Sequence, residues 1–201
     1  MFYQPKDDHT LKYNPFAAIV TPRPIGWIST RGKDGIDNLA PYSFFNAVAN
    51  DPPQVMFSST SQKPGRHLGK DSVANIDQTE VFCINIVEYA MRDLMNATSH
   101  PDPEGGDEFS HANIEREECR TIACSRVAAA PATLECKLSQ IVKLDGDHNL
   151  MIIGKVTGIH LRDNCIKDGI FDVTSFQPLS RLGYRDYARV TDVFSLKRPN
   201  Q

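Results

Sequence analysis

The stretch "TLECKLSQIVKLDGDHNLMIIGKVTGIHL", from Thr133 to Leu161, limits the folds open to this chain more than any other. Leu134, Cys136 and Leu138 alternate with polar neighbours, the period-two pattern of a half-buried strand. Asp145-Gly146-Asp147-His148 supplies a turn, and Asn149–Leu161 reads as a second long arm. Strands joined by so short a turn run antiparallel. Gly154 and Gly158 interrupt the second arm, and glycine inside a strand marks a bulge or a sharp bend. The hairpin therefore predicts an antiparallel sheet that curls toward a barrel.

Shorter segments fit the same plan. Pro24–Thr30 alternates Ile25, Trp27 and Ser29 against Gly26, Ile28 and Thr30, and Lys33-Asp34-Gly35 turns the chain. Asn38–Val48 reads as one continuing strand, with Pro41 marking an edge or a bulge. Gln54–Thr60 and Glu80–Val87 are the third and fourth strands, and Cys165–Phe171 follows a turn at Asp163-Asn164. Lys70–Gln78 is expected to be a short helix capped by Asp71 or Ser72, with Val73 and Ile76 turned inward. A second helix is expected over Glu88–Asn96. His100–Glu118 reads as a polar excursion with a short helix near Ile114–Glu118. Six or seven short strands with a few helices make a mainly β, antiparallel barrel with helical insertions, not a parallel α/β sheet. With 201 residues, a single domain over 1–201 is expected.

Composition narrows the function classes. The net charge of −3 gives no general pull toward nucleic acid or an anionic membrane, although the basic cluster Lys63–Lys70 suits a phosphate. Five cysteines without a C-x-x-C support neither a disulfide framework nor a zinc ribbon. Cys83 and Cys136 lie in apolar runs, where buried thiols are expected. Cys119 and Cys124, with His111 upstream, match no zinc spacing. The first ten residues lack the basic start and apolar run of a signal peptide, so a cytoplasmic protein is the expectation.

Familiar catalytic patterns are missing. No G-x-G-x-x-G, G-x-S-x-G or H-E-x-x-H occurs. Pro64–Ser72 fails as a P-loop, with Pro64 in place of the first glycine and Asp71 in place of the hydroxyl residue. Asp102, Glu104, Asp107 and Glu108 read as a solvated acidic loop in preference to a metal site. What remains is a polar set from separate segments: Ser29, Thr30, Asn38, Tyr42 and Ser43; Ser58, Ser59 and Thr60; Arg66, Lys70 and Ser72. Hydroxyls and backbone N–H groups at a helix start, beside Arg or Lys, suit a phosphate. Taken singly, each serine is explained by turn chemistry; taken together, they favour a ligand.

The run "RPIGWIST…DGIDNLAPYSFFNAVANDPPQVMFSS", then "KDSVANIDQTEVFCINIV", "DEF", "APATLECKL" and "PLSRLGYRDY", closely resembles the flavin reductase-like family. The likeness covers about residues 11–187. It implies an antiparallel Greek-key split β-barrel that binds FMN (FAD being the larger alternative), usually as a homodimer. Carried over residue by residue, it implies Ser29 and Thr30 near a polar strand end. Asn38, Ala40, Pro41, Tyr42 and Ser43 would lie along the flavin, with Ser58 and Ser59 beside it. Lys70, Asp71 and Ser72 match a Lys-Asp-Thr motif near the phosphate, with Ser72 where Thr is usual. Arg66 is a further phosphate partner, and Trp27 either covers the flavin or packs in the barrel.

The activity so implied is hydride transfer from NAD(P)H to flavin N5, with His160 and Tyr187 as candidate nicotinamide contacts. A flavin carries its own redox chemistry, so the missing nucleophile and paired carboxylates are no obstacle. The alternatives are a flavoredoxin-like electron carrier with tightly held FMN, reduced by a partner protein, and a flavin-binding module without turnover. A metal site in the His100–His111 loop is a further alternative.

Overall fold

The computed structural model describes residues 1–65, 67–99 and 106–199. Seven strands form one sheet: β1 (Gly26–Arg31), β2 (Asp37–Tyr42), β3 (Phe45–Asn50), β4 (Pro53–Ser59), β5 (Val81–Ile86), β6 (Ala132–Lys143) and β7 (Leu150–Leu161). Their order is β2-β1-β5-β6-β7-β4-β3, and every pairing is antiparallel. The expected mainly β, antiparallel barrel is thus the observed architecture.

One strand assignment needs correction. Asn38–Val48 is not a single strand but two, β2 and β3, broken at Ser43-Phe44. They lie on opposite edges of the sheet, because Phe45 pairs with Phe57 of β4 while Tyr42 pairs with Gly26 of β1. The two-residue link therefore draws the edges together and curls the sheet. Ser58 N–H donates to Phe44 O across this seam at 2.8 Å. A row of rings fills the interior behind it: Tyr42 and Phe57 are 4.7 Å apart, and Phe57 meets Phe82 edge-on at 5.7 Å. Such ring pairs are worth about 0.5–1.5 kcal/mol beyond the area they bury.

The long hairpin bends where its glycines predicted. Its register shifts between Ile153 and Gly154 and again between Val156 and Gly158. Helix α1 (Asp71–Thr79) covers the barrel interior, with Val73 and Ile76 buried in the same cluster as Ile28, Phe57 and Phe82. Its expected cap is not observed: Lys70 occupies the cap position without a side-chain bond, and Ser72 is turned elsewhere. Glu80, in the left-handed region at φ 60°, ends the helix and starts β5.

A second apolar layer lies outside the barrel. Trp27, Leu39, Met91, Met95 and Phe109 pack there, so β1 is buried on both faces. Helix α2 (Arg92–Ala97), entered through a 3-10 turn at Tyr89–Met91, and helix α3 (Glu108–His111) carry this layer. The helix expected near Ile114–Glu118 is instead a strand, Arg116–Glu118, paired with Ser125–Val127. Its three residues are exposed and charged, and backbone pairing to the neighbouring strand decides their conformation. Among the described residues, no helix is long and apolar enough to cross a membrane.

Candidate functional site

A cleft of about 340 Å³ opens between β2, the start of α1 and the segments around Lys63 and Ser99. That volume is within the range of about 300–1,000 Å³ usual for small-ligand pockets. One wall is the strand Asn38, Ala40, Pro41 and Tyr42; the opposite rim is Lys70, Asp71 and Ser72. Seven of the fourteen residues singled out in the sequence thus share one cleft.

A buried carboxylate makes the wall rigid. Glu108, only 7% exposed, accepts two hydrogen bonds from Asn38 Nδ2 and one from Leu39 N–H, all at 2.9 Å. Asn38 Oδ1 in turn accepts from Ser72 Oγ at 2.7 Å, which ties the strand to the first turn of α1. The acidic loop is therefore not simply solvated; at Glu108 it is part of the site. The signal was Asp107, which caps α3 by accepting from Ser110 N–H, followed by the apolar Phe109. Asp102 and Glu104 lie outside the described residues.

The α1 rim is suited to an anion. Ala74 N–H closes the first intrahelical bond onto Lys70 O, so the N–H groups of Ser72 and Val73 have no partner within the helix. These donors and the positive end of the helix dipole favour negative charge. Lys63 Nζ pairs with Asp71 Oδ2 at 2.6 Å, and Lys70 Nζ lies 5.9 Å from the Tyr42 ring centre.

Two buried hydroxyls lack a partner among the described residues. Neither Tyr42 Oη nor Ser59 Oγ completes a hydrogen bond, although Ser72 and Ser59 lie beside the phenol. Burial pushes the Tyr42 pKa up to about 12, against the opposing effect of those two hydroxyls. The phenol is therefore a neutral donor at physiological pH. An unmet buried hydroxyl is costly, which is the pattern expected of a group awaiting a ligand.

The remaining predicted residues lie elsewhere. Trp27 packs in the outer layer rather than over the cleft, fully buried, and its Nε1 donates to Thr98 Oγ1 at 2.9 Å. Because Thr98 lines the cleft, Trp27 supports the wall from behind. Ser29 Oγ donates to Ser125 O at 2.6 Å and accepts from Asn85 Nδ2, joining β1 to its neighbours. Thr30 accepts from Asn75 Nδ2 of α1 at 3.1 Å. The structure does not bring Ser29 or Thr30 to the cleft lining, since both are buried between packed layers. Ser43 and Ser58 flank the seam and are half-buried. Arg66 falls outside the described residues.

His160 and Tyr187 do not reach the cleft either. His160 Nε2 lies 2.5 Å from Glu135 Oε1, on the far arm of the long hairpin. Tyr187 lines a second depression with Tyr89, Arg92 and Arg189. Among the described residues, no group of His, Cys, Asp and Glu is arranged to hold a metal ion. His100 is outside them.

The curled antiparallel sheet and its donor-lined cleft define a split barrel of the flavoprotein kind. The chain belongs to the family described as flavin reductase like domain, whose model matches residues 19–180. Nitrilotriacetate monooxygenase component B from Bacillus cereus is similar over 98% of each chain, at TM-score 0.89 and 26% identity. The 2-nitrobenzoate 2-nitroreductase of Pseudomonas fluorescens is similar over all of this chain and 96% of its own, at TM-score 0.85 and 28% identity. Flavoredoxin of Desulfovibrio vulgaris (Miyazaki F), at 18% identity and TM-score 0.75 over 97% of each chain, shares the fold. A flavin-handling oxidoreductase is the class these findings support.

Proposed function

We propose that the cleft binds FMN and that the protein is an NAD(P)H-dependent flavin oxidoreductase. The observation that carries this reading is the buried Tyr42 hydroxyl, without a partner among the described residues, in the same cleft as an anion-ready helix start. A bound flavin supplies the acceptor for a hydride at N5 and so the redox chemistry itself. The chain's part is to hold and orient. The N–H groups of Ser72 and Val73 and the Lys70 ammonium would receive the phosphate, and Tyr42 would donate a hydrogen bond, while Ser72 Oγ, whose proton goes to Asn38, would accept one. Glu108 keeps the Asn38–Leu39 backbone in place, so the wall needs little reorganisation on binding.

Titration with FMN tests the first step: the folded protein is expected to take up the flavin and turn yellow, and failure to bind it would sink the proposal. Tyr42→Phe is expected to weaken FMN by roughly 3- to 10-fold, the worth of a hydrogen bond of about 0.5–1.5 kcal/mol. The Tm of the flavin-free protein should not fall, since the hydroxyl has no partner among the described residues. Lys70→Ala should weaken FMN more than riboflavin; equal weakening would move the phosphate away from α1. Anaerobic mixing with NADH and with NADPH should bleach the flavin. Bleaching by dithionite alone would replace the reductase with an electron carrier.

A further inference from the structure

The paired strands Arg116–Glu118 and Ser125–Val127 are joined by a tip that starts and ends in cysteine. Cys119 and Cys124 form the next facing pair beyond Glu118 and Ser125, and Cys119 N–H donates to Cys124 O at 2.9 Å. Facing residues on antiparallel strands have Cα atoms about 4.5 or 5.5 Å apart, and their side chains leave the same face. Disulfides span Cα separations of about 4.4–6.8 Å, so neither arrangement needs the backbone to move far.

The surroundings separate these two thiols from ordinary core cysteines. Cys119 packs against Cys83, Cys124 and Ile122 in a small cluster of its own. Cys83 and Cys124 are fully buried, whereas Cys119 is half-buried and the one thiol of the cluster open to solvent. The loop between Cys119 and Cys124 is pinned. Buried Glu135 accepts from Arg120 N–H at 2.7 Å, Thr121 N–H at 2.6 Å and Thr121 Oγ1 at 2.5 Å. Hydrogen bonding from Cys124 and Cys83 pulls the Cys119 pKa down against the effect of burial. Cys124 is raised by its bond to Cys119 and by burial, and Cys83 by burial first. One half-buried thiol with a lowered pKa thus sits against sheltered thiols with raised ones, the arrangement that makes a cysteine reactive.

We propose that Cys119 and Cys124 are a redox-active pair that hydrogen peroxide closes into a disulfide, with Cys119 as nucleophile and Cys124 as resolving thiol. The Cys119 thiolate attacks one peroxide oxygen, the O–O bond breaks, and hydroxide leaves to become water on taking up a proton. Cys119 is then a sulfenic acid. The Cys124 sulfur attacks the Cys119 sulfur, an S–S bond forms, the S–O bond breaks, and a second water leaves with the Cys124 proton. Two thiols lose two electrons and two protons, and one peroxide becomes two waters. The step is independent of any flavin in the cleft.

Peptide mapping tests this on the full chain. Reductant-free protein is treated with hydrogen peroxide, alkylated after unfolding, and digested with trypsin. Cleavage after Arg116, Arg120 and Arg126 puts the two cysteines on separate peptides, so a link between them is unambiguous. Alkylatable thiols are expected to fall from five to three, with Glu117–Arg120 joined to Thr121–Arg126 and dithiothreitol restoring all five. Cys124→Ser is expected to stop at a Cys119 sulfenic acid that dimedone traps, and Cys119→Ser to leave Cys124 reduced. Five free thiols after treatment, a Cys83–Cys119 link, or oxidation of Cys124 in the Cys119→Ser variant would overturn the assignment. The wild-type map decides the matter even if a variant does not fold.

Discussion

Glu135 illustrates how one side chain can decide a local structure. It is fully buried, and it is paired with His160 as well as with the donors of the cysteine tip. Burial pushes its pKa up, but His160, Thr121 and the N–H groups of Arg120 and Thr121 outweigh that, bringing it from 4.5 to about 2. A carboxylate whose folded pKa is depressed stabilises the fold above its unfolded value, and that contribution is lost as pH falls from about 4.5 toward 2. Glu135→Gln should therefore cost about 1–3 kcal/mol in urea unfolding at pH 7. The difference from wild type should shrink on acidification to pH 3. An equal deficit at both pH values would mean that charge is not what Glu135 contributes. Gly158 stands close by for a reason: a Cβ there would lie 3.2 Å from the Glu135 carboxyl.

At the scale of elements, the long hairpin was readable because alternation and glycine spacing are local signals, and both bends were found where glycine stood. Gly154 has a specific duty. A Cβ at that position would come within 2.4 Å of Phe82 Cζ, so the glycine makes room for the last ring of the interior row. Gly154→Ala is expected to cost about 1–3 kcal/mol by overpacking. Phe82→Leu in the same chain should recover part of that loss, and strict additivity of the two changes in urea unfolding would contradict the account. What local signals missed were pairings set by the whole sheet. Nothing within Asn38–Val48 shows that its halves belong to opposite edges, because both halves prefer extended backbone. Ser29 and Thr30 were read as ligand-facing because polar side chains seldom lie between two packed layers. Here Ser125, Asn85 and Asn75 satisfy them internally. Asn38, Tyr42, Lys70 and Ser72 were legible through their motifs, whereas Glu108 reaches the site from an excursion 70 residues beyond Asn38.

For the molecule as a whole, apolar side chains remain outside both packed layers. Phe16 and Ile19 are 62% and 71% exposed, and Phe194 and Leu196 exceed 80%. Large exposed apolar groups on a globular protein mark association surfaces when they cluster. Together with the pairing that the sequence resemblance implies, they are the ground for expecting a homodimer. Light scattering should return twice the 22.4 kDa chain mass, and a monomer at micromolar concentration would refute the expectation.

The seam at Ser43-Phe44 has an evolutionary corollary. The same short stretch, Asp37–Asn50, is both the wall of the cleft and the clasp that curls the sheet. A mutation that loosened the clasp would distort the grip, so selection on foldability also preserves the binding wall. Lys63 and Ser99 border the same cleft from outside the sheet and are not part of the clasp. Changes in what the cleft accepts are therefore expected to come more cheaply through Lys63 and Ser99 of its off-sheet rim than through the clasp strand.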